Sequence, residues 1–429
     1  MIKICKLQYM NSSNSWRVSN MSSYPKLRIE GFTDAWEQRK LGEIFSQTVN
    51  YVNPKEQNIE LWSLTVQDGL TQKTERYNRE FITKKDDKYK EVRVGEIVYN
   101  PMNMTLGAID VNNTGKSVAV SGYYVTMMAS EDIDPYFIQT WMKSPQAILL
   151  YKNNATGTLK EKQRVQFPTL SKISSVIPSK AEQQKIGLLF SKLDNLITLH
   201  QRKSDALKNA KKYFLNNMFP SDGEKFPKLR LEGFTDAWEQ RKLGDVVERV
   251  TRKNSNLESN LPLTISAQYG LIDQNEFFDR RIASKDVSGY YLIKHGEFAY
   301  NKSTSNDAEW GAIKRLDRYE KGVLSTLYIV FKILDEKQTS SDFLATYYDT
   351  NLWHKGIQAI AAEGARNHGL LNIAPSDFFN TSLMMPKSYL EQNKIGEFFL
   401  SLNKLITLHQ RKCDALKNAK KFFLQNMFV

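Results

Sequence analysis

A few short stretches carry side chains that could do chemistry. In the first half, Thr158-Leu-Lys-Glu-Lys-Gln-Arg164 follows Gly157 and offers Lys160, Lys162, Gln163 and Arg164, and the loop after Tyr99 opens on Asn100. In the second half, Asn301-Lys-Ser-Thr304 offers Asn301, Lys302 and Ser303, and Gly364-Ala-Arg-Asn-His368 offers Arg366, Asn367 and His368. Lys314 and Arg315 follow a Gly-Ala-Ile triplet. Guanidinium, ammonium and carboxamide groups on polar loops recognise rather than transform. Arg and Lys donate to guanine edges, Asn and Gln pair with adenine, and all of them position phosphates. The 429 residues include 60 Lys+Arg against 47 Asp+Glu, a net charge of +13. That surplus favours a polyanionic partner, with nucleic acid first.

Catalytic signatures are missing. Asn100-Pro101 continues as Met102-Asn103, so there is no N-P-P-Y amino-methyltransferase motif. Gly364 to Gly369 has the two-glycine spacing of a phosphate-binding loop, but Leu370-Leu371 stand where Lys and Ser/Thr are required. No G-x-G-x-x-G follows a strand, and five histidines with two cysteines form no ligand cluster of usual spacing. Apolar runs such as Ala147 to Tyr151 fall far short of the roughly 18 to 20 residues that cross a bilayer, so no membrane partner is expected. The start, MIKICKLQYMNSSNSW, lacks a secretory apolar core, and Cys5 and Cys413 are the only cysteines. Both features fit a reducing, cytoplasmic setting.

The elements that must hold these loops come from a frame used twice, filled differently each time. A head block, Pro25 to Gly42, returns as Pro227 to Gly244 with 17 of 18 positions identical. A tail block, Glu182 to Phe219, returns as Glu391 to Phe428 with 28 of 38 identical. The fillings, about 46 to 176 and 248 to 384, share only landmarks: Gly95-Glu96 with Tyr99-Asn100 matches Gly296-Glu297 with Tyr300-Asn301, and Gly107-Ala-Ile109 matches Gly311-Ala-Ile313. The offset grows from 201 to 204 between these landmarks, which implies three extra residues in the second filling. Short β-rich stretches around them read as a mixed α/β domain in each half.

In the tail, Ile186, Phe190, Leu193, Ile197, His200, Ser204, Leu207, Lys211, Phe214 and Met218 recur at alternating four- and three-residue steps. This is the stripe of a coiled-coil helix, bounded by Pro178 and Pro220 and roughly 57 Å long. The copy carries Ile395 through Met427 on the same stripe. Two such helices in one chain should pair, antiparallel because a whole domain separates them. An internal pseudo-twofold axis follows.

Taken together, the doubled GFTDAWEQRKLG head, the G-E-x-x-Y-N and G-A-I landmarks, the E-Q-x-K-I-G opening of each helix and its LITLHQRKxDALKxxKK body resemble the DNA specificity subunit of type I restriction-modification systems. The resemblance spans nearly everything from Pro25 onward. It implies two target recognition domains separated by a pair of long antiparallel coiled-coil helices, each domain reading one half of a split, asymmetric site in double-stranded DNA. It also implies a non-catalytic chain docking two modification (methyltransferase) subunits and restriction (translocase/nuclease) subunits, with S-adenosylmethionine, ATP and Mg belonging to those partners and no cofactor here. The expected division is a tail at 1–24, recognition domain at 25–180, helix at 181–219, linker and second recognition domain at 220–387, and helix at 388–429. Residues 1 to 20 have no counterpart in the second half; they are expected to be disordered or untranslated, with Met21 as the start. A self-contained enzyme and a stand-alone DNA-binding regulator or scaffold are the rival readings.

Within this scheme the basic and amide residues of the fillings are the expected DNA contacts. Tyr99, Tyr300, Trp36 and Trp238, common to two domains that read different sequences, are expected to hold the fold. His200 and His409 should set helix register. Lys203, Lys208 and Lys212, with their copies Lys412, Lys417 and Lys421, are expected to dock partner subunits.

Overall fold

The computed structural model describes residues 4–6, 23–72, 88–157, 163–266, 269–278, 282–305, 308–361 and 369–429, with only the backbone for 4–6. The chain divides into two packed units, one made of Met1–Gln201 with Arg411–Val429 and the other of Arg202–Gln410. Among the described residues no helix is long and apolar enough to cross a membrane.

Each unit is built on the same four-stranded antiparallel sheet. In the first unit the order is Ile109–Val111, Ile97–Tyr99, Val125–Ala129 and Phe45–Thr48; in the second it is Ala312–Arg315, Phe298–Asn301, Ile329–Ile333 and Val247–Val250. The landmark strands are buried on both faces, so they read as apolar runs rather than alternations. Ile97 and Tyr99 enter the core that includes the tail helices, whereas Val98 turns to a smaller cluster under the hairpin Trp62–Thr65/Gly69–Gln72. Phe298 and Tyr300 repeat this split against Ala299.

The head closes the filling onto the helix. Head strand Glu37–Lys40 pairs with Ser174–Ile177, the last strand before the first tail helix, and Glu239–Lys242 pairs with Ser382–Met385 in the same way. The Glu, Gln, Ile and Gly of E-Q-x-K-I-G then have physical reasons. Glu182 accepts two hydrogen bonds from the Arg28 guanidinium at 2.8 and 2.7 Å, and Glu391 takes the same pair from Arg230 at 2.8 and 2.9 Å. These forked pairs tie head to tail. Gln183 accepts from the Asp134 N–H and donates to the Pro178 carbonyl; Gln392 does so with Ser340 and Pro386. Asp134 and Ser340 are N-caps of the helices Pro135–Trp141 and Ser341–Tyr347. Ile186 and Ile395 are buried, and Gly187 and Gly396 let those helix starts approach, since a Cβ would stand 2.7 Å from the Phe137 or the Phe343 backbone nitrogen.

The tail helices span Lys180–Asn217 and Tyr389–Asn426, 38 residues each. In the first unit Lys420 donates to Asp194 and the Cys413 thiol lies 3.6 Å from Gln201 Oε1, so one helix descends as the other climbs. In the second unit Ser204 meets Gln410 and Phe214 packs edge-on to Phe398 at 5.0 Å, again antiparallel. Each unit completes its core with the helix end of the other repeat. Phe428 sits 5.7 Å from Phe190 in the first unit, and Phe219 sits 5.7 Å from Trp238 in the second. The recognition domain expected at 25–180 is therefore packed against Arg411–Val429, drawn from the far end of the chain. Near the N-terminus, Ile4–Lys6 forms a strand against Leu27–Ile29; the remainder of 1–22 lies outside the described residues.

Candidate nucleic-acid interface

The loop after each Tyr-Asn landmark is hydrogen-bonded to residues that flank the unlike basic segment downstream. In the first unit Asn100 ends the central strand, and its Oδ1 accepts the Met102 N–H at 3.0 Å, closing a side-chain turn. The next residue, Pro101, accepts the Val165 N–H at 3.0 Å, while Thr156 and Arg164 exchange both backbone hydrogen bonds at 2.9 Å. Arg164 is exposed and Gln163 half-buried at the base of this segment; Lys160 and Lys162 lie outside the described residues. In the second unit Asn301 Oδ1 accepts the Ser303 N–H at 3.0 Å. Lys302 then accepts the Leu371 N–H at 2.9 Å, and the Thr304 N–H donates to the Gly369 carbonyl at 2.6 Å. Ser303 and Leu370 form an antiparallel bridge. Arg366, Asn367 and His368 lie outside the described residues and run directly into Gly369 in the chain.

Three of the extra residues of the second filling lie here. Pro101 to Gly107 becomes Lys302 to Gly311, longer by three residues. The Gly-Ala-Ile landmark closes this loop, and its glycine is required: Gly311 has φ +78 and a Cβ there would stand 2.2 Å from the Asn301 carbonyl. The Asn100 and Asn301 carboxamides are engaged in shaping their own turns. Tyr99 and Tyr300 are fully buried, out of reach of base stacking.

Lys314 and Arg315, expected as DNA contacts, are engaged in ion pairs within the second unit. Lys314 Nζ donates to Asp349 Oδ1 at 2.6 Å and Lys211 Nζ to Asp349 Oδ2 at 2.7 Å. Arg315 spends its guanidinium on Asp317, Ser341 and Asp342, each at 2.7 Å. The first unit has the Lys314 brace with its charges reversed: Asp110, the counterpart of Lys314, pairs at 2.8 Å with Lys143, the counterpart of Asp349. A strand-to-helix brace that persists through charge reversal belongs to the fold. Burial pushes the Asp349 carboxyl up, yet the Lys314 and Lys211 ammonium groups outweigh it and hold it below the usual carboxylate range.

Along the helices all six predicted docking lysines are exposed: Lys412, Lys417 and Lys421 in the first unit, Lys203, Lys208 and Lys212 in the second. Sequence reading missed the apolar residues beside them. Leu196, Leu199 and Phe422 are 43–54% exposed in the first unit, and Leu405, Leu408 and Tyr213 44–59% exposed in the second. They fall off the coiled-coil stripe at positions repeated in both copies, and that is the signal that would have found them. Trp36 and Trp238 are buried in the cores. Among the described residues no group of three or more His, Cys, Asp or Glu could hold a metal ion.

No family model and no curated protein matches the sequence. Among solved structures, the type I restriction-modification system S subunit from M. genitalium superposes with a TM-score of 0.63 at 14% identity, over 95% of this chain and 99% of that one. The HsdS subunit from Thermoanaerobacter tengcongensis gives a TM-score of 0.42 at 13% identity, over 92% and 96%. A chain from a type I R-M assembly gives 0.44 at 13%, over 91% and 96%. The near-complete mutual coverage at a TM-score of 0.63 includes both repeats and both helices, and so this chain has the fold of the S subunit of a type I restriction-modification system.

Proposed function

We propose that the chain is the DNA specificity subunit of a type I restriction-modification complex in the cytoplasm. Each unit reads one half of a bipartite, asymmetric site, and the helix faces dock two modification subunits. The observation that carries this reading is the contrast within one fold. The residues that build head and tail helix are repeated almost unchanged, while the paired loops at Asn100/Arg164 and Asn301/Gly369 are held by equivalent backbone hydrogen bonds and differ in length and side chains. Constant frames suit identical partners, and unlike loops suit unlike half-sites. The chain contributes the address; methyl transfer from S-adenosylmethionine and any ATP- and Mg-dependent translocation or cleavage belong to the partner subunits. Exposed leucines beside lysines on each helix supply the apolar centre and charged rim of a docking surface.

A base-resolution map of adenine methylation in the source cell, with and without the gene, tests the proposal. Deletion is expected to erase one split motif. An unchanged map would remove the methylation assignment. Arg164→Ala is expected to relax the first half-site alone; uniform weakening with a shallower salt dependence would make Arg164 a phosphate contact.

A further inference from the structure

Pro101 and Lys302 occupy the same place in the two units. Each follows the asparagine at the end of the central strand, and each carbonyl accepts the N–H of a residue just beyond the divergent segment, Val165 at 3.0 Å or Leu371 at 2.9 Å. Only the side chain differs, a pyrrolidine without a donor against an ammonium with three. The Lys302 stem is half-buried against the strand pair, and its Nζ donates to the Ile373 carbonyl at 3.4 Å. Among the described residues no carboxylate pairs with it, in contrast to Lys314, whose charge is met by Asp349. Among the described residues this ammonium makes that one hydrogen bond.

A donor-only group suits a base edge made only of acceptors. In the major groove that is guanine, with O6 and N7; adenine and cytosine present an amino group there, and thymine a single oxygen beside its methyl. We infer that Lys302 is a specificity-determining residue of the second unit, donating to the O6/N7 edge of a guanine, a contact that Pro101 cannot make in the first unit. The inference rests on the DNA-reading function proposed above.

The test uses the full chain in complex with its modification subunits and measures competition binding. Duplexes carry 7-deazaguanine at each guanine of the second half-site in turn, and single-base substitutions in the first. The wild-type complex is expected to lose about tenfold at one guanine. Lys302→Met should lose about tenfold on the unmodified duplex, lose nothing further at that guanine, and keep every first-half penalty. Lys302→Arg should retain the guanine penalty. Equal weakening on all duplexes with the guanine penalty intact would make Lys302 a phosphate contact and overturn the inference, as would unchanged affinity. If Lys302→Met also erased first-half penalties, the fold would be damaged; the wild-type scan and Lys302→Arg then decide, and the absence of any N7-sensitive guanine refutes the inference. A wild-type complex with no sequence preference would instead refute the DNA-reading function itself.

Discussion

Glu182→Gln removes the charge that locks the first head block to the first tail helix. The Glu182 carboxylate and Arg28 guanidinium retain 1% and 6% side-chain exposure, and their two hydrogen bonds measure 2.8 and 2.7 Å. Breaking a buried pair by neutralising one partner costs about 3–5 kcal/mol, because the remaining charge stays desolvated. The glutamine oxygen keeps one acceptor, worth about 1 kcal/mol, and Arg28 still donates to the Asp34 carbonyl at 2.7 Å. The expected net loss is about 2–4 kcal/mol. At about 2–4 °C per kcal/mol for a unit of this size, the first unit's melting transition should fall by roughly 4–16 °C. Glu391→Gln should cost less, because Arg230 is 15% exposed and its charge is better hydrated when orphaned. Urea unfolding followed by tryptophan fluorescence, with hydrogen exchange assigning each transition to its unit, measures both. Arg28→Met/Glu182→Leu should recover most of the loss, since no charge is then left buried. A loss below about 0.5 kcal/mol for Glu182→Gln, or a double variant as damaged as the single, would refute the reasoning.

Gly187→Ala places a Cβ 2.6 Å from Asp134 Oδ1 and 2.7 Å from the Phe137 nitrogen, and should cost about 1–3 kcal/mol in the same unfolding experiment. Asp349, held below the usual carboxylate range by Lys314 and Lys211, contributes stability that is present above its unfolded value of about 3.9 and lost as pH falls through its lower folded value. Asp349→Asn should thus destabilise the second unit at pH 7, and the gap to wild type should narrow below about pH 4; a gap independent of pH would contradict this. Leu196→Asp and Leu405→Asp, at 43% and 44% exposure, should leave melting unchanged and abolish capture of the modification subunit in a pull-down.

The repeats, the coiled-coil stripe and the mixed α/β class were legible in the sequence because identity, period and burial-driven composition are local properties. Ile186, Phe190, Ile395 and Phe399 are buried as their spacing requires, and the shared Tyr99 and Tyr300 lie at the sheet's centre. The sequence also placed both loop segments on the list of contacts without relating them. Tertiary structure alone decided that Pro101 meets Val165 and Lys302 meets Leu371, because those partners are brought together only by strand pairing across a whole filling. It also decided that Lys314 and Arg315 are ion-paired within the second unit, since Asp349 and Asp342 stand on residues remote in the chain. The same holds for Phe428, from the second repeat, which closes the first unit, and Phe219, from the first repeat, which closes the second: two nearly identical helices carry equal apolar ends, and only the antiparallel packing assigns each end to a core.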